Sequence, residues 1–350
     1  MRPSLAPPLA ALALLLLSLV AWRSKVKVDG GVEVGVVDTA DASLPPLQPS
    51  LRDVYAKNQA TRASVKVWID RAHWESPPSF FNYGLPAYAL PKINLPVGGR
   101  PIGHDLVGLL GAQLQQQRAG QQERKLRYLE IGVSVGKCLM TQLQYFGPRA
   151  QTWAFDLEEI NPTFAALLTP GTPALIDSWT EEQLEPGMKT LRRSSGQVHV
   201  DTIKAFSSPA GGELRYLAAD EFNAIAWQRL RAHNAEPFDL IYSDALHTPD
   251  ALLFEASQLL HLSLVNLQGF AIVWDDCAGS MVTQAVCPIL ELLRKQPGVP
   301  LVHFARYSIG GWTGINEEEH GTCIATTLNL QELRARDADL AQLLRFKGCS

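Results

Sequence analysis

Acidic residues stand at the ends of four short apolar runs in the middle of this chain. Glu130 lies in YLEIGVSVG, Asp156 in TWAFDL, Asp244 in FDLIYSD, and the pair Asp275 and Asp276 in GFAIVWDD. Carboxylates gathered at one place can meet a cationic group, accept hydrogen bonds from sugar hydroxyls, or hold a hard divalent ion. Just after Glu130 come Gly132 and Gly136. A glycine there lets the chain turn sharply and lets a ligand approach the backbone, and a helix opening behind Gly136 offers unpaired N–H groups. An acid at the end of the following strand, here Asp156, takes ribose hydroxyls in nucleotide-binding sheets.

These residues need strands to carry them to a common edge, and the pattern provides strands. After Gly120 the chain alternates short apolar runs with amphipathic stretches, the mark of a parallel α/β sheet. Strands are expected over 127–131, 152–157, 238–243, 269–274, 301–307 and 322–328. Helices are expected over 105–117, 137–146, 220–234, 249–264 and 282–295, with one opening near Asn161 and Pro162. The third strand falls on either 199–206 or 213–218. Upstream, 51–74 is free of Pro and Gly and can form a helix, whereas the prolines over 76–100 forbid long helices and imply irregular covering structure.

In that order, the segments YLEIGVSVGK, WAFDLEEINP, FDLIYSDALH and GFAIVWDDC resemble the successive motifs of class I S-adenosylmethionine-dependent methyltransferases. The likeness spans about 200 residues, and its nearest branch is the metal-dependent O-methyltransferases of the catechol and macrocin-like sugar types. It implies an α/β, Rossmann-like, seven-stranded and mostly parallel sheet, its last strand antiparallel, with helices on both faces. It implies further that Glu130, Gly132, Ser134 and Gly136 line S-adenosyl-L-methionine, that Asp156 holds the ribose, and that Asp220 meets the adenine. Asp220 reads equally well as the N-cap of its helix.

The same resemblance makes Asp244, Asp275 and Asp276 ligands of a divalent ion such as Mg2+, a set of hard oxygen donors. Such an ion would orient an acceptor hydroxyl. His247 stands where the catechol type carries a lysine base, and its imidazole suits proton removal near neutral pH, with Asp244 beside it. The bland reading makes His247 a cap of the helix at Pro249. The sugar type places an acidic base two residues after the first metal acid, and this chain has Leu246 there, which leaves the base open. Of the other histidines, His199, His261 and His303 read as core, and His104 and His233 as surface or cap positions. Trp274 reads as packed core, and Trp312 and His320 as neighbours of an acceptor pocket.

Three rivals use some of these residues. Gly132-Val-Ser-Val-Gly136 spells a hydrolase nucleophile elbow with Ser134 as nucleophile, but it leaves Asp156 and the 275–276 pair without a role. A nicotinamide dehydrogenase would need the middle glycine of GxGxxG. A methyltransferase-fold protein without activity is the third.

Composition narrows the class. The chain has 350 residues, is 46% hydrophobic and 19% charged, and carries a net charge of −4, so it has the material for a core and no overall footprint for nucleic acid. Five cysteines without a CxxC pair argue against zinc and imply no disulfide framework, leaving room for one bond in an oxidising compartment. The organisation expected is a signal peptide or membrane anchor over 1–27, a linker and Pro-rich covering region over 28–100, and the methyltransferase domain over 101–350. The apolar run from Leu9 to Trp22 is flanked by Arg2 and by Arg23, Lys25 and Lys27. It points to the secretory pathway or to membrane association, with a small-molecule or glycan acceptor as partner.

Overall fold

A computed structural model describes residues 48–61, 101, 103–118, 124–133, 136–157, 159–160, 162–171, 174–179, 199–277, 282–310, 319–345 and 349. All belong to one compact unit, Ala40–Cys349. The apolar segment over 1–27 and residues 62–100 of the covering region lie outside the described residues.

Strand β1 (Leu126–Ile131) sits at the centre, parallel to β2 (Ala150–Asp156) on one side and β7 (Leu240–Ser243) on the other. Beyond β2 comes parallel β6 (Glu213–Ala218), and beyond β7 parallel β8 (Ala271–Trp274). Antiparallel β10 (Glu319–Thr326) joins β8, and β9 (His303–Gly310) joins β10. Those seven strands run β9-β10-β8-β7-β1-β2-β6. This is the Rossmann-like sheet expected from the sequence.

Among the described residues the sheet is wider than expected, with eleven strands in place of seven. Both candidates for the third strand are strands: β6 is the parallel one, and β5 (His199–Ser207) returns against it as a hairpin arm. The tight turn between them uses Gly211 at φ 78° and a Ser208 N–H bond to the Gly212 carbonyl. Beyond β5 lie β3 (Thr169–Pro170) and β4 (Ala174–Trp179), and β11 (Leu344–Arg345) closes the opposite edge on β9.

Alternate side chains of the central strands enter two cores, as expected for a sheet covered on both faces. Tyr128 and Ala154 face one core with α2 (Gly103–Gln117) and α3 (Lys137–Phe146). Leu129, Ile131, Trp153 and Phe155 face the other with α5 (Ala224–His233), α6 (Pro249–His261) and α7 (Cys287–Arg294). The first core also takes Leu51 and Val54 from α1 (51–61) and the buried leucines of α8 (Leu330–Arg336) and α9 (Ala338–Leu343). Helix α1 is held by Asp337, which accepts from the Leu51 N–H at 2.6 Å, and by Asn58, which donates to Asp105 at 2.9 Å.

Several boundaries move for local reasons. Helix α5 starts at Ala224, not 220, because Asn223 caps it by accepting from the Ile225 N–H. The 282–295 helix divides into a π turn over Val282–Val286 and α7, with Pro288 at the junction. The helix opening at Pro162 lasts four residues, Pro162–Ala165, and is α4. His104, read as a surface or cap position, is buried in the first turn of α2, and His261, expected in the core, is exposed at the end of α6.

Four cysteines form two bonds where one at most was expected: Cys277–Cys323 and Cys287–Cys349. The spacing hides them because their partners are 46 and 62 residues apart. Cys138 is free and buried. Alkylation of the unfolded, unreduced chain should therefore modify Cys138 alone, read by peptide mass spectrometry. Replacing the first pair with alanines should cost about 2–4 kcal/mol in denaturant unfolding.

Candidate functional site

The site begins where β1 ends. Gly132 turns at φ 78°, and a Cβ built on it would lie 2.5 Å from backbone atoms of Asp244 and Ala245. Only glycine fits there, by conformation and by space. The contact places the exit of β1 directly against the exit of β7, with the Asp244 N–H bonded to the Ile131 carbonyl at 2.8 Å. The chain leaves β1 toward β2 and leaves β7 toward β8, in opposite directions. This is the switch point at which open α/β sheets form their ligand crevice.

The neighbouring acids are ordered around that crevice. One Asp156 oxygen accepts from the Val133 N–H at 2.5 Å, fastening the end of β2 to the glycine turn. Gly136, at φ 81°, is the N-cap of α3 and gives it no side-chain cap. A Cβ there would press on Phe164 at 3.0 Å. Ser134, between the two glycines, lies outside the described residues. Glu130 is buried inside β1 and accepts from the Tyr128 hydroxyl at 2.5 Å. Burial pushes its carboxyl up to about 8, the Tyr128 bond pulls against this, and the Asp244 charge adds to the rise.

Asp220 follows β6 at the same edge. Its carboxylate accepts from the Phe222 N–H at 2.9 Å in a local turn, and burial raises its pKa. It does not cap α5, since Asn223 does. The reading of Asp220 as helix cap is thus removed.

His247 forms the centre of the second half. Its Nδ1 lies 3.0 Å from Asp276 Oδ2, and its Nε2 lies 3.3 Å from Asp244 Oδ1. It does not cap α6 either, because Thr248 does so by accepting from the Ala251 N–H. Burial by itself would lower the imidazole pKa, but the hydrogen bonds and charges of Asp244 and Asp276 outweigh it and raise it to about 10. At neutral pH His247 is an imidazolium, which is not a proton acceptor. Asp244 is raised to about 7, first by burial and then by the charge of Asp275, with His247 opposing. Asp276 holds a left-handed φ of 44°, a conformation that few residues other than Gly, Asn and Asp adopt.

Asp275 is buried, receives the Thr322 hydroxyl at 3.4 Å, and sits near Gly103 at the start of α2. Its N–H continues the sheet ladder to the Ser243 carbonyl at 3.0 Å. Directly behind the acid pair, Cys277 bonds to Cys323 on β10 and donates its N–H to the Gly321 carbonyl at 2.7 Å. The disulfide thus anchors the turn that presents both acids.

Asp244, Asp275 and Asp276 do reach one edge, as the resemblance implies for metal ligands. As placed, they do not fit an ion. Among the described residues no group of three His, Cys, Asp or Glu side chains is arranged to hold one. The His247 ring spans the gap between Asp244 and Asp276 and supplies the positive charge there.

Two further carboxyls were not singled out from the sequence. Glu221, next to Asp220, and Glu255, on the buried face of α6, meet beside the end of β7. Glu255 left a signal, because it shares the helical stripe of Leu252, Ala256 and Leu259. An acid on an apolar stripe has to find a partner.

No protein-family model matches the chain, and no curated protein matches it. Solved structures do align with it. Cofactor-bound Rv0187 from MTB is 14% identical, with 83% of this chain and 100% of that chain covered at a TM-score of 0.39. The O-methyltransferase from Bacillus cereus in complex with SAH is 14% identical, with 82% and 94% covered at 0.37. The O-methyltransferase TomG from Streptomyces achromogenes, in complex with SAM, is 16% identical, with 75% and 88% covered at 0.37. Superpositions this loose leave the chemistry to be read from this chain's own residues.

Two substitutions probe the geometry. Gly132→Ala should destabilise the chain by more than about 2 kcal/mol, from left-handed strain plus the backbone clash, as measured by denaturant unfolding. His247→Gln should cost about 1–3 kcal/mol at neutral pH, discounted for the exposure of its acidic partners. Because the folded imidazole is raised above its ordinary 6.5, that stabilisation is full below about pH 6.5 and disappears as pH climbs through about 10. Melting curves of the two proteins should converge at the alkaline end. A gap that widened instead would reject the imidazolium.

Proposed function

We propose that this chain is an S-adenosylmethionine-dependent O-methyltransferase acting on the hydroxyl of a small molecule or glycan. One observation carries the reading: at the β1/β7 switch point a left-handed glycine turn is surrounded by carboxyls from β1, β2, β6, β7 and β8. Burial, and after it the charges of neighbouring acids, raise Glu130 and Asp244, the electrostatic state that a cationic ligand relieves. A sulfonium carrying an amino group is such a ligand, and its ribose suits Asp156.

When bound, the cofactor supplies the electrophilic methyl. The chain's residues bind and align. Glu130, Gly132 and Gly136 take the amino-acid end, Asp156 takes the ribose hydroxyls, and Asp220 stands on the adenine side. Asp244, raised to about 7, is matched to accept the acceptor's hydroxyl proton near neutral pH. His247, fixed between Asp244 and Asp276, positions that carboxylate and holds its charge. Magnesium held by Asp244, Asp275 and Asp276 would require the His247 ring to move out of its gap, and no step here depends on it.

A hydrolase using Ser134 is not favoured. In that reading Asp156 and the 275–276 pair have no work, and β1 is the first strand in chain order among the described residues. The apolar N-terminal run and the two disulfides together support a secretory or membrane-anchored location.

Calorimetric titration of the full chain with S-adenosylhomocysteine tests the reading. Saturable binding is expected, weakened about 10- to 100-fold by Asp156→Ala through the lost charged hydrogen bonds. It should be weakened only slightly, by less than about threefold, by Ser134→Ala and be unchanged by added magnesium. No binding at millimolar ligand would reject the assignment.

A further inference from the structure

Beside the end of β7, two carboxylic acids meet. Glu255 projects from α6 and accepts from the Ser243 hydroxyl at 2.8 Å through one oxygen. Its other oxygen is sealed from solvent and receives no N–H or O–H, and neither does one oxygen of Glu221. The two side chains are hydrogen-bonding neighbours, and Glu221 also accepts from the Leu246 N–H. The Glu221 carbonyl takes the Trp227 indole N–H at 2.6 Å, which fixes its backbone on α5.

Carboxylates do not donate. Two of them in contact inside a core repel unless one carries a hydrogen, and then the pair becomes a strong bond. We propose that Glu221 and Glu255 share a single proton, and that this pair is a latch holding the loop of residues 244–248 in place. One end of the latch grips Ser243 at the strand terminus and the other grips the Leu246 N–H, on either side of Asp244. The two glutamates touch no reacting atom, so they are positioning residues. The inference stands whatever group the crevice transfers.

The charges around the pair favour keeping the proton. Burial comes first for both members; for Glu221 the hydrogen bond with Glu255 pulls down while the charges of Asp220 and Asp156 push up, and for Glu255 the charge of Glu221 pushes up. His247 is the opposing charge, acting on Glu255. Glu221 is raised to about 7, and Glu255 well above its ordinary range. A carboxyl raised in the folded state gives stability that is present below its unfolded value near 4.5 and lost as pH rises through the folded one. Losing the proton leaves two buried anions in contact and releases the loop.

The test uses the full chain, with Glu255→Gln and Glu221→Gln made singly. Either glutamine supplies permanently the hydrogen that the proton lends. Across about pH 5 to 8 the wild-type melting temperature should fall by about 2–4 °C more than that of either variant. Hydrogen exchange of the 244–248 segment, corrected for intrinsic base catalysis, should quicken about tenfold in the wild type between those limits and stay constant in the variants. A wild-type pH slope retained by both variants would overturn the proposal, and so would loop exchange that ignores pH. Failure of both variants to fold at either pH would overturn it too, since a glutamine should complete the pair. Cofactor titration is a separate measurement, so this result is independent of the methyltransferase reading.

Discussion

The site depends on one close approach of backbone to backbone. Gly132 lies so near Asp244 and Ala245 that a single methyl group would be 2.5 Å from main-chain atoms. That contact brings the ends of β1 and β7 together at the point where the sheet's connections diverge, and the crevice is what the divergence leaves. The ladder bonds from Gly132 to Phe155, Asp244 to Ile131 and Asp275 to Ser243 carry the alignment across four strands. Each acid is thus placed by main chain that cannot shift without breaking a buried hydrogen bond. Side-chain rotamers make only the last adjustment.

Such alignment is costly in electrostatic terms. Carboxyls from five strands converge on one edge, and burial raises several of them. The fold offsets the repulsion in three distinct ways. Main-chain and side-chain donors serve Asp156, Asp220 and Glu130. An imidazolium lies between Asp244 and Asp276. A retained proton serves acids buried too deeply for these to suffice, Glu130 among them. Which means applies follows depth: the half-exposed Asp276 meets a charge, whereas the buried Glu130 keeps its hydrogen.

Much of this was legible in the sequence because strand ends and turns are written locally. Period and apolar runs located the central strands, and the 137–146 helix matched to the residue. Gly132, Asp156, Asp244 and the 275–276 pair announced themselves by position at the ends of those runs. Long-range facts were less visible. Neither disulfide has a local signature, and the hairpin arm β5 competes with β6 for the same reading because both mix apolar and polar residues at strand spacing. His247 was found but its charge was not, since an imidazole pKa is decided by groups 29 residues away in sequence, at Asp276, and by depth. The Glu221–Glu255 contact joins a loop to a helix face, and only Glu255, on its apolar stripe, left a trace.

The Cys277–Cys323 bond links these layers. Asp276 takes a left-handed φ, which costs about 1 kcal/mol or more and persists only where its surroundings impose it. Immediately after it, Cys277 is fastened to β10 twice, through sulfur and through its N–H to Gly321. Cys323 is itself in register with Trp274, the last residue of β8, so the turn is closed on both sides by the antiparallel strand. The strained residue is therefore held by a covalent bond on one flank and by the sheet ladder on the other. Its carboxylate reaches His247 because of that constraint, and His247 in turn fixes Asp244. Cross-linking at the buried end of the turn thereby sets the charge arrangement at its exposed end.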